Sequence, residues 1–245
     1  MTKTAVITGF TGQDCKYLSK LLLEKDYKVY ATMRRLSNPD LKFVDELELQ
    51  DVEILEMDLA DNTSIYKIIS QIKPDEFYNL ASMSHVGVSF NQPEHTANIT
   101  GLGPLRILEN IRLHSIKTKY YNAGSSEQFG NNIEIQNENT SFNPASPYAA
   151  AKVFAHNITK IYRQSYDIFA CCAILQNHES PHRAKDFVTR KITDWIGRHI
   201  NGKTSSPLEL GNLDACRDWS HAKDMVRGMW LMMQQNEPKD YLLGS

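Results

Sequence analysis

Short apolar runs alternate with longer amphipathic stretches along most of the chain. The apolar runs predict buried strands, and the longer stretches, whose apolar residues recur at helical spacing, predict helices. The predicted strands lie near 4–8, 28–33, 52–57, 75–80, 117–123 and 168–175, and the predicted helices cover 14–26, 63–73, 103–114 and 148–164. Repeated strand–helix units build a parallel sheet with helices on both faces. The pattern therefore predicts an α/β fold of the Rossmann type, with a doubly wound parallel sheet.

The alternation of strands and helices breaks down after about residue 176. A polar NHESPHR stretch is followed by the helical pattern FVTRKITDWIGRHI and by a short LELGN run. We therefore predict a larger first domain over 1–175 and a smaller C-terminal lobe over 176–245. No internal repeat, low-complexity segment or Gly/Ser linker separates the two in the sequence.

Composition and charge bear on the class of function. The 245 residues include 27 Lys and Arg against 29 Asp and Glu, a net charge of −2, so a nucleic-acid partner has no electrostatic support. The four cysteines show no C-x-x-C spacing, which indicates reduced thiols in the cytosol. The chain runs from Met1 directly into a strand-like TAVITG, and no apolar run reaches membrane length. We expect a soluble, cytoplasmic protein with no nucleic-acid or membrane partner.

The turn TGFTGQDC after the first strand is a candidate phosphate site. Gly9 and Gly12 let the backbone approach a pyrophosphate, and the N-terminus of the following helix attracts its charge. Cys15 stands where a third glycine is expected, and the small thiol predicts strain without loss of the turn. The turn indicates a nucleotide site, although glycine is common in other strand-to-helix turns.

Two strand ends bear on the choice of dinucleotide. Arg34 and Arg35 end the second strand, where an NAD-specific protein more often carries a carboxylate. Guanidinium groups there favour the 2′-phosphate of NADP, and a solvated basic tip is the alternative. Asp58 ends the third strand, where it either hydrogen-bonds the adenine amine or serves as a helix cap or turn residue.

Two stretches carry the candidate catalytic residues: Ser125, Ser126 and Glu127 in AGSSEQFG, and Tyr148 and Lys152 in YAAAK. A Tyr and a Lys four positions apart share one helix face, where the ammonium can lower the pKa of the phenol and make it a base. An upstream hydroxyl can share the substrate's alcohol with that tyrosine. This arrangement suits removal of an alcohol proton while a nicotinamide takes the hydride, and the carboxylate suggests that a second proton is moved. By itself, the pair is equally compatible with a core tyrosine beside a solvated lysine.

Eight stretches, in order along the chain, are typical of a known family: ITGFTGQD, YNLASMSHV, SSEQFG, SPYAAAK, NHESPHR, FVTRKI, LGNLDACRDWSHAKDMV and MWLMMQ. The chain resembles the extended short-chain dehydrogenase/reductases that act on sugar nucleotides, and among them most closely the GDP-mannose 4,6-dehydratases. The resemblance covers the whole chain. It is most specific in NHESP, in FVTRKI and in the LGNLDA, RDW and HAKD segments.

The resemblance implies a lyase reaction on GDP-mannose that gives GDP-4-keto-6-deoxymannose. Tyr148 would take the proton of the C4 hydroxyl while NADP accepts the C4 hydride, with Lys152 holding the nicotinamide ribose. Glu127 would then remove the C5 proton and protonate the departing C6 hydroxyl, after which the hydride returns to C6. Ser125 would polarise the C4 oxygen. The implied partners are GDP-mannose or a related sugar nucleotide, and further copies of the chain in a homo-oligomer.

The resemblance also implies the binding residues. Those around the cofactor would be Gly9, Phe10, Thr11, Gly12, Gln13, Asp14, Arg34, Arg35, Ser37, Asp58, Leu59, Leu80, Ala81, Ser82, Ser84, Tyr148, Lys152, His178 and Arg183. Those facing the sugar nucleotide would be Ser84, Ser126, Asn177 and Arg217, and no metal ligand is expected.

Differences from the family leave other functions open. Cys15, His95 and Cys216 stand where the family has other residues, and the segment after Arg35, which helps to build a tetramer in the family, is short. Because the chain ends at YLLGS, the C-terminal substrate lobe is expected to be incomplete. The alternatives are another NADP-dependent sugar-nucleotide reductase or epimerase, and an inactive NADP-binding fragment. Glu127 argues against the simplest reductase, which needs no base at C5.

Overall fold

The polypeptide is built from parallel strands joined by helices. The structure, a computed structural model, describes residues 2–35, 41–131 and 135–245. The strands are β1 (Thr4–Thr8), β2 (Lys28–Met33), β3 (Glu53–Glu56), β4 (Glu76–Asn79), β5 (Lys119–Ala123), β6 (Ala170–Leu175), β7 (Asn177–Glu179), β8 (Trp219–His221) and β9 (Tyr241–Leu243). The helices are α1 (Gln13–Leu23), α2 (Phe43–Glu46), α3 (Asn62–Ile72), α4 (Val86–Asn91), α5 (Pro93–Thr96), α6 (Gly103–His114), α7 (Pro147–Tyr166), α8 (Val188–Ile200) and α9 (Ala222–Met233). A π-helical segment spans Ala97–Leu102, and a 3-10 turn spans Ser126–Phe129.

Seven of the described strands form one sheet in the order β3-β2-β1-β4-β5-β6-β9. Every neighbouring pair in it is parallel. The order reverses at β1, with β2 and β3 on one side and β4, β5 and β6 on the other. This is the doubly wound arrangement, so the predicted fold class is confirmed. Strands β7 and β8 pair in parallel as a separate small sheet.

The predicted strands and helices of the first 175 residues are all present, with ends shifted by a few residues at most. The helical pattern at 187–200 forms α8. The three-residue strands β7, β8 and β9 and the short helices α2, α4 and α5 were not predicted, because segments this short show no period. Strand β9 and helix α9 both follow residue 176, yet β9 joins the edge of the large sheet and α9 packs on α1. The domain boundary between 175 and 176 stays a prediction.

Both faces of the sheet are buried. Alternate side chains of a strand point to opposite faces, and β1 shows the result. Ala5 and Ile7 belong to an apolar cluster with side chains of α1 and α9, whereas Val6 belongs to a second cluster with side chains of α3 and α6. All three are fully buried. A strand covered on both faces is apolar at most of its positions, which explains the nearly continuous apolar runs in the sequence.

Helix α7 begins at a position set by local chemistry. The Ser146 hydroxyl accepts a hydrogen bond from the Ala149 amide at 3.1 Å, and Pro147 occupies the first turn, where its missing N–H costs nothing. The Lys152 ammonium in the second turn donates to the Ala123 carbonyl at the end of β5, at 2.6 Å. The start of α7 is therefore joined to the carboxyl edge of the sheet.

Among the described residues, no helix is both long enough and apolar enough to cross a membrane.

Asp240 joins β9 to β6 and α7. Its carboxylate accepts hydrogen bonds from the Arg163 guanidinium at 2.9 and 2.7 Å and from the Cys172 amide at 2.9 Å, and it lies 3.5 Å from His156 Nε2. Burial alone would raise the pKa of Asp240, but Arg163 and His156 hold it well below its usual range. Burial alone would lower the pKa of His156, but the Cys172 sulfur and the Asp240 carboxylate raise it to about 10.

We expect the D240N substitution to lower the free energy of unfolding by about 3 kcal/mol at pH 7, because it leaves a buried guanidinium without its counter-charge. Urea unfolding measures this change. The control is E53Q, which breaks the Lys28–Glu53 pair; both side chains of that pair are about half exposed, so a much smaller loss than in D240N is expected.

The effect of D240N should also depend on pH. The pKa of His156 lies above its unfolded value of 6.5, so its contribution is complete below about pH 6.5 and is lost as the pH rises through about 10. The difference between wild type and D240N should therefore shrink at alkaline pH. Equal losses in D240N and E53Q at pH 7 would contradict the role of this cluster.

Candidate active site

A cleft of about 600 Å³ lies at the carboxyl ends of the parallel strands. The segments that follow β1, β2, β3, β4, β5 and β6 all contribute residues to its wall, together with the first turns of α7. In a doubly wound sheet the loops on either side of the reversal point diverge, which leaves a crevice there. The cleft is therefore where the topology places a ligand site.

The glycine turn after β1 forms one end of the cleft. Gly9 has a φ of +87°, and a Cβ there would lie 3.3 Å from the Ala81 Cα. The turn is closed by a hydrogen bond from the Gly12 amide to the Gly9 carbonyl at 2.8 Å, and α1 begins directly after it. Bare backbone at the start of an eleven-residue helix suits a pyrophosphate. Cys15 fits within the first turn of α1, and burial raises the pKa of its thiol to about 12.

The ends of β2 and β3 supply the next part of the wall. Arg34, Asp58 and Leu59 line the cleft, whereas Arg35 is exposed and does not. The Asp58 carboxylate accepts a hydrogen bond from the Ala60 amide at 2.8 Å, so it serves as a turn residue while it lines the cleft. Asp61, and not Asp58, caps α3. Ser37 lies outside the described residues.

The Tyr148 and Lys152 side chains are both buried and line the cleft. They stand one helical turn apart on α7, and the Lys152 ammonium lies 5.7 Å from the centre of the Tyr148 ring. The bond from Lys152 to the Ala123 carbonyl fixes the ammonium at the end of β5. The structure thus brings together the predicted pair in the arrangement that the sequence suggested.

Ser125 and Glu127 line the same cleft from the 3-10 turn after β5. The Ser125 hydroxyl accepts a hydrogen bond from the Glu127 amide at 3.3 Å, and the Ser125 amide donates to Gln128 Oε1 at 2.8 Å. This capping box holds the turn rigidly. Gly124 permits it, because a Cβ there would lie 2.5 Å from the Ala173 carbonyl oxygen.

A buried polar network ties the glycine turn to β7. Gln13 donates to the His178 carbonyl and accepts from the Ser180 hydroxyl, both at 2.8 Å. His178 Nε2 lies 2.9 Å from the Asp14 carboxylate, and Nδ1 lies 2.8 Å from the Gln176 carbonyl. Burial alone would lower the pKa of His178, but the Asp14 carboxylate raises it above its usual value. Each ring nitrogen of His178 faces an acceptor, so the doubly protonated imidazolium, which donates from both nitrogens, suits this position.

Most of the predicted site residues line the cleft, and a few do not. The lining ones are Gly9, Thr11, Gly12, Gln13, Asp14, Arg34, Asp58, Leu59, Leu80, Ala81, Ser82, Ser84, Ser125, Glu127, Tyr148, Lys152, Asn177, His178 and Arg183. Among the described residues outside its wall, the Phe10 ring is fully buried against Phe43 at 5.1 Å. Arg35, Ser126 and Arg217 are also absent from the wall.

Several lining residues were not predicted as site residues: Met83, His85, Gln176, Glu179, Asp186, Phe187 and Trp219. His85 stands within the YNLASMSHV motif and Glu179 within NHESPHR. Their position beside predicted site residues was the signal in the sequence that could have identified them. Phe187 and Trp219 follow residue 176, where the pattern of strands and helices is lost. No group of His, Cys, Asp and Glu among the residues that the structure describes could hold a metal ion.

Solved structures share this fold. The dTDP-glucose 4,6-dehydratase DesIV of Streptomyces venezuelae, with NAD and TYD bound, superposes with a TM-score of 0.86 over 99% of this chain and 76% of that one, at 18% identity. The UDP-N-acetylglucosamine 4-epimerase of Methanobrevibacter ruminantium M1 gives 0.85 over 99% and 76%, at 23% identity. RMD of Pseudomonas aeruginosa, complexed with NADPH, gives 0.80 over 100% and 78%, at 21% identity. The fold and the cleft define a Rossmann-type α/β protein with a doubly wound parallel sheet.

The sequence narrows this class to one family. The family model described as GDP-mannose 4,6 dehydratase matches residues 6–245. GDP-mannose 4,6 dehydratase 2 of Arabidopsis thaliana is 47% identical over 254 residues, which are 99% of this chain and 68% of the relative. The GDP-mannose 4,6-dehydratase of Vibrio cholerae serotype O1 is 47% identical over 252 residues, 99% and 67% of the two chains. The chain belongs to the GDP-mannose 4,6-dehydratase family, a family of nicotinamide-dependent lyases.

The turn that carries Glu127 leads to a testable prediction about Gly130. Gly130 ends the turn with a φ of +61°, and a Cβ there would overlap the Asn143 carbonyl. Its ψ of −127° places it in a part of backbone space that is essentially restricted to glycine. We expect G130A to lower the free energy of unfolding by more than about 2 kcal/mol, because the cost of this conformation and a backbone clash add. The measurement is urea unfolding.

Gly202 provides the control for this substitution. It has nearly the same φ, +65°, and an added Cβ would have no described atom within 4 Å. G202A therefore measures the cost of a Cβ at a positive φ without a clash, about 1 kcal/mol. A loss in G130A no larger than the loss in G202A would contradict the expected extra cost at Gly130.

Proposed function

We propose that this chain dehydrates GDP-mannose to GDP-4-keto-6-deoxymannose, with NADP as its resident cofactor. The observation that carries the proposal is the presence of Glu127 in the same cleft as Tyr148 and Lys152. The tyrosine and lysine alone suit any oxidation of an alcohol, and the carboxylate adds a second base. Membership of the GDP-mannose 4,6-dehydratase family supports this choice of substrate.

The residues of the cleft fit a dinucleotide. The glycine turn leaves little room for a Cβ at Gly9, and its bare backbone precedes the N-terminus of α1. Arg34 lines the cleft at the end of β2, where a cation suits a 2′-phosphate and therefore NADP rather than NAD. Asp58 and Leu59 line the next segment, at the end of β3.

The reaction needs three groups of the chain to handle protons. Bound NADP would supply hydride removal from C4 of the hexose and hydride return to C6. Tyr148 takes the proton of the C4 hydroxyl, and Ser125 donates a hydrogen bond to the same oxygen. Once C4 is a ketone, the C5 proton is acidic, and Glu127 removes it. Glu127 then protonates the C6 hydroxyl, which leaves as water, so that one carboxylate serves both halves of the elimination. When the hydride returns to C6, a proton taken up from solvent is added at C5, and this completes the product.

Lys152 acts as a fixed positive charge beside the tyrosine. Its ammonium is buried and is held at 2.6 Å by the Ala123 carbonyl, which leaves two further N–H groups for ligand hydroxyls. A charge fixed before the substrate binds needs no reorganisation during the reaction.

The remaining assignments rest on the family resemblance. Ser84 and Asn177 line the cleft and would contact the sugar nucleotide, and Ser126 and Arg217 would do so from outside its present wall. The homo-oligomeric state has the same basis, whereas the cytoplasmic location rests on the spacing of the cysteines.

The proton roles predict large losses of turnover in two variants. E127Q should retain NADP binding and lower product formation by at least about a hundredfold, because an amide cannot remove the C5 proton. Y148F should lose turnover by a similar factor, because no group takes the C4 hydroxyl proton. Mass spectrometry of the 4-keto-6-deoxy product, from purified protein with GDP-mannose and NADP, measures both.

Solvent-proton exchange at C5 separates the two steps. E127Q should also stop the incorporation of solvent deuterium at C5. Unchanged product formation by E127Q would refute the assigned role of Glu127. Absence of product from the wild type, with NADP still raising the melting temperature, would favour a cofactor-binding chain with a different substrate or none.

The choice of cofactor is tested with a pair of arginine variants. R34Q should weaken NADP binding by about tenfold or more and leave NAD binding nearly unchanged, because it removes a charge-assisted contact to the 2′-phosphate. R35Q is the matched control, since Arg35 is outside the cleft wall. Calorimetric titration of wild type and both variants with each dinucleotide measures the affinities, and equal NADP affinity in R34Q and wild type would refute the assignment to Arg34.

A further inference from the structure

His85 lines the cleft, and a hydrogen bond from the backbone determines which nitrogen of its ring carries the hydrogen. Its Nδ1 accepts a hydrogen bond from the Val88 amide at 3.2 Å, so His85 is the cap residue of α4. A ring nitrogen that accepts a hydrogen bond carries no hydrogen. The hydrogen of the imidazole is therefore on Nε2, which becomes a donor.

The surroundings hold the ring in this orientation. Gly87 lies close to the ring, since a Cβ there would come within 3.1 Å of His85 Cε1. The Phe187 ring is also adjacent, with a distance of 5.7 Å between ring centres. His85, Gly87 and Phe187 all line the cleft. The imidazole thus contacts the residue that precedes α8, far from it in sequence.

The Nε2 hydrogen has no acceptor among the residues that the structure describes, and the half-buried ring borders the cleft. Its neighbour Ser84 lines the cleft as well. An oriented N–H donor at the wall of a cleft is the type of group that selects a ligand by its oxygens.

We propose that His85 binds the substrate, donating from Nε2 to an oxygen of the sugar nucleotide, either a hexose hydroxyl or a phosphate oxygen. This inference rests on the proposed function. The ring does not carry a proton in the reaction, because Nδ1 is occupied by the Val88 amide; it positions the substrate.

The chain offers a matched control in His221. Its Nδ1 also caps a helix, accepting from the Lys223 amide at 3.1 Å, and its ring lies 5.7 Å from the Tyr17 ring. His221 is absent from the cleft wall. Both histidines therefore cap a helix through Nδ1 and contact an aromatic ring, and only His85 lines the cleft.

The experiment replaces each histidine by serine. A serine hydroxyl can accept the same amide hydrogen bond, so H85S and H221S keep the cap and lose the ring donor. We expect H85S to raise the KM for GDP-mannose by about threefold to tenfold, the effect of one lost hydrogen bond, with a smaller change in kcat and an unchanged Kd for NADP. H221S should leave the KM for GDP-mannose unchanged and should have a melting temperature similar to that of H85S.

Two further measurements sharpen the test. H85N should recover part of the lost affinity, because its carboxamide oxygen can accept the Val88 amide while its N–H groups remain donors. Inhibition by GDP, which lacks the hexose, identifies the acceptor: a Ki raised to the same extent in H85S indicates a phosphate oxygen, and an unchanged Ki indicates a hexose hydroxyl.

A KM in H85S equal to that of H221S and wild type would overturn the inference while the proposed function stands. If the wild type turns over no GDP-mannose, the proposed function is refuted independently of His85. The role of His85 is then tested by calorimetric binding of GDP-mannose to the wild type and the same variants. Weaker binding by H85S alone would then support the role of His85, and equal or absent binding would refute it.

Discussion

All strands of the large sheet run in one direction, and this constraint determines where the chemistry of the molecule can lie. In a parallel sheet every strand ends at the same edge, so residues that are far apart in sequence meet there. The glycine turn, Arg34 and Ser125 each follow a different strand and yet border one cleft. Burial of both faces under helices stabilises the sheet, so the edge is the place where polar side chains gather without cost to the core.

Buried polar contacts connect this edge with the rest of the chain. Gln13 and His178 are almost fully buried, and a buried polar group is costly unless it is paired. The hydrogen bond from Gln13 to the His178 carbonyl therefore fixes the position of the glycine turn relative to β7. Helix α7 is fixed near its start by the bond from Lys152 to β5 and near its end by the pairing of Arg163 with the segment before β9. A helix held at two points presents Tyr148 at a defined depth in the cleft. Proton transfer requires hydrogen-bond distances, so this rigidity matters for the proposed reaction.

The fold class, the glycine turn and the pairing of Tyr148 with Lys152 could be predicted from the amino-acid sequence alone. These features depend on local periodicity, on helical spacing and on the chemistry of a single turn, so neighbouring residues are enough to specify them. Strand β9 could not be predicted, since three residues show no period. The ion pair of Asp14 with His178 could not be predicted either, since their 164-residue separation leaves no local signal.

Which of the polar residues border the cleft depends on how the chain packs. Arg34 and Arg35 are adjacent and alike in sequence, yet Arg34 lines the cleft and Arg35 is absent from its wall. The tautomer of His85 was also hidden, because it depends on a hydrogen bond from a backbone amide of α4, and the contact of its ring with Phe187 joins segments that are far apart in sequence. Contacts between distant segments exist only after the chain has packed, so no local pattern contains them.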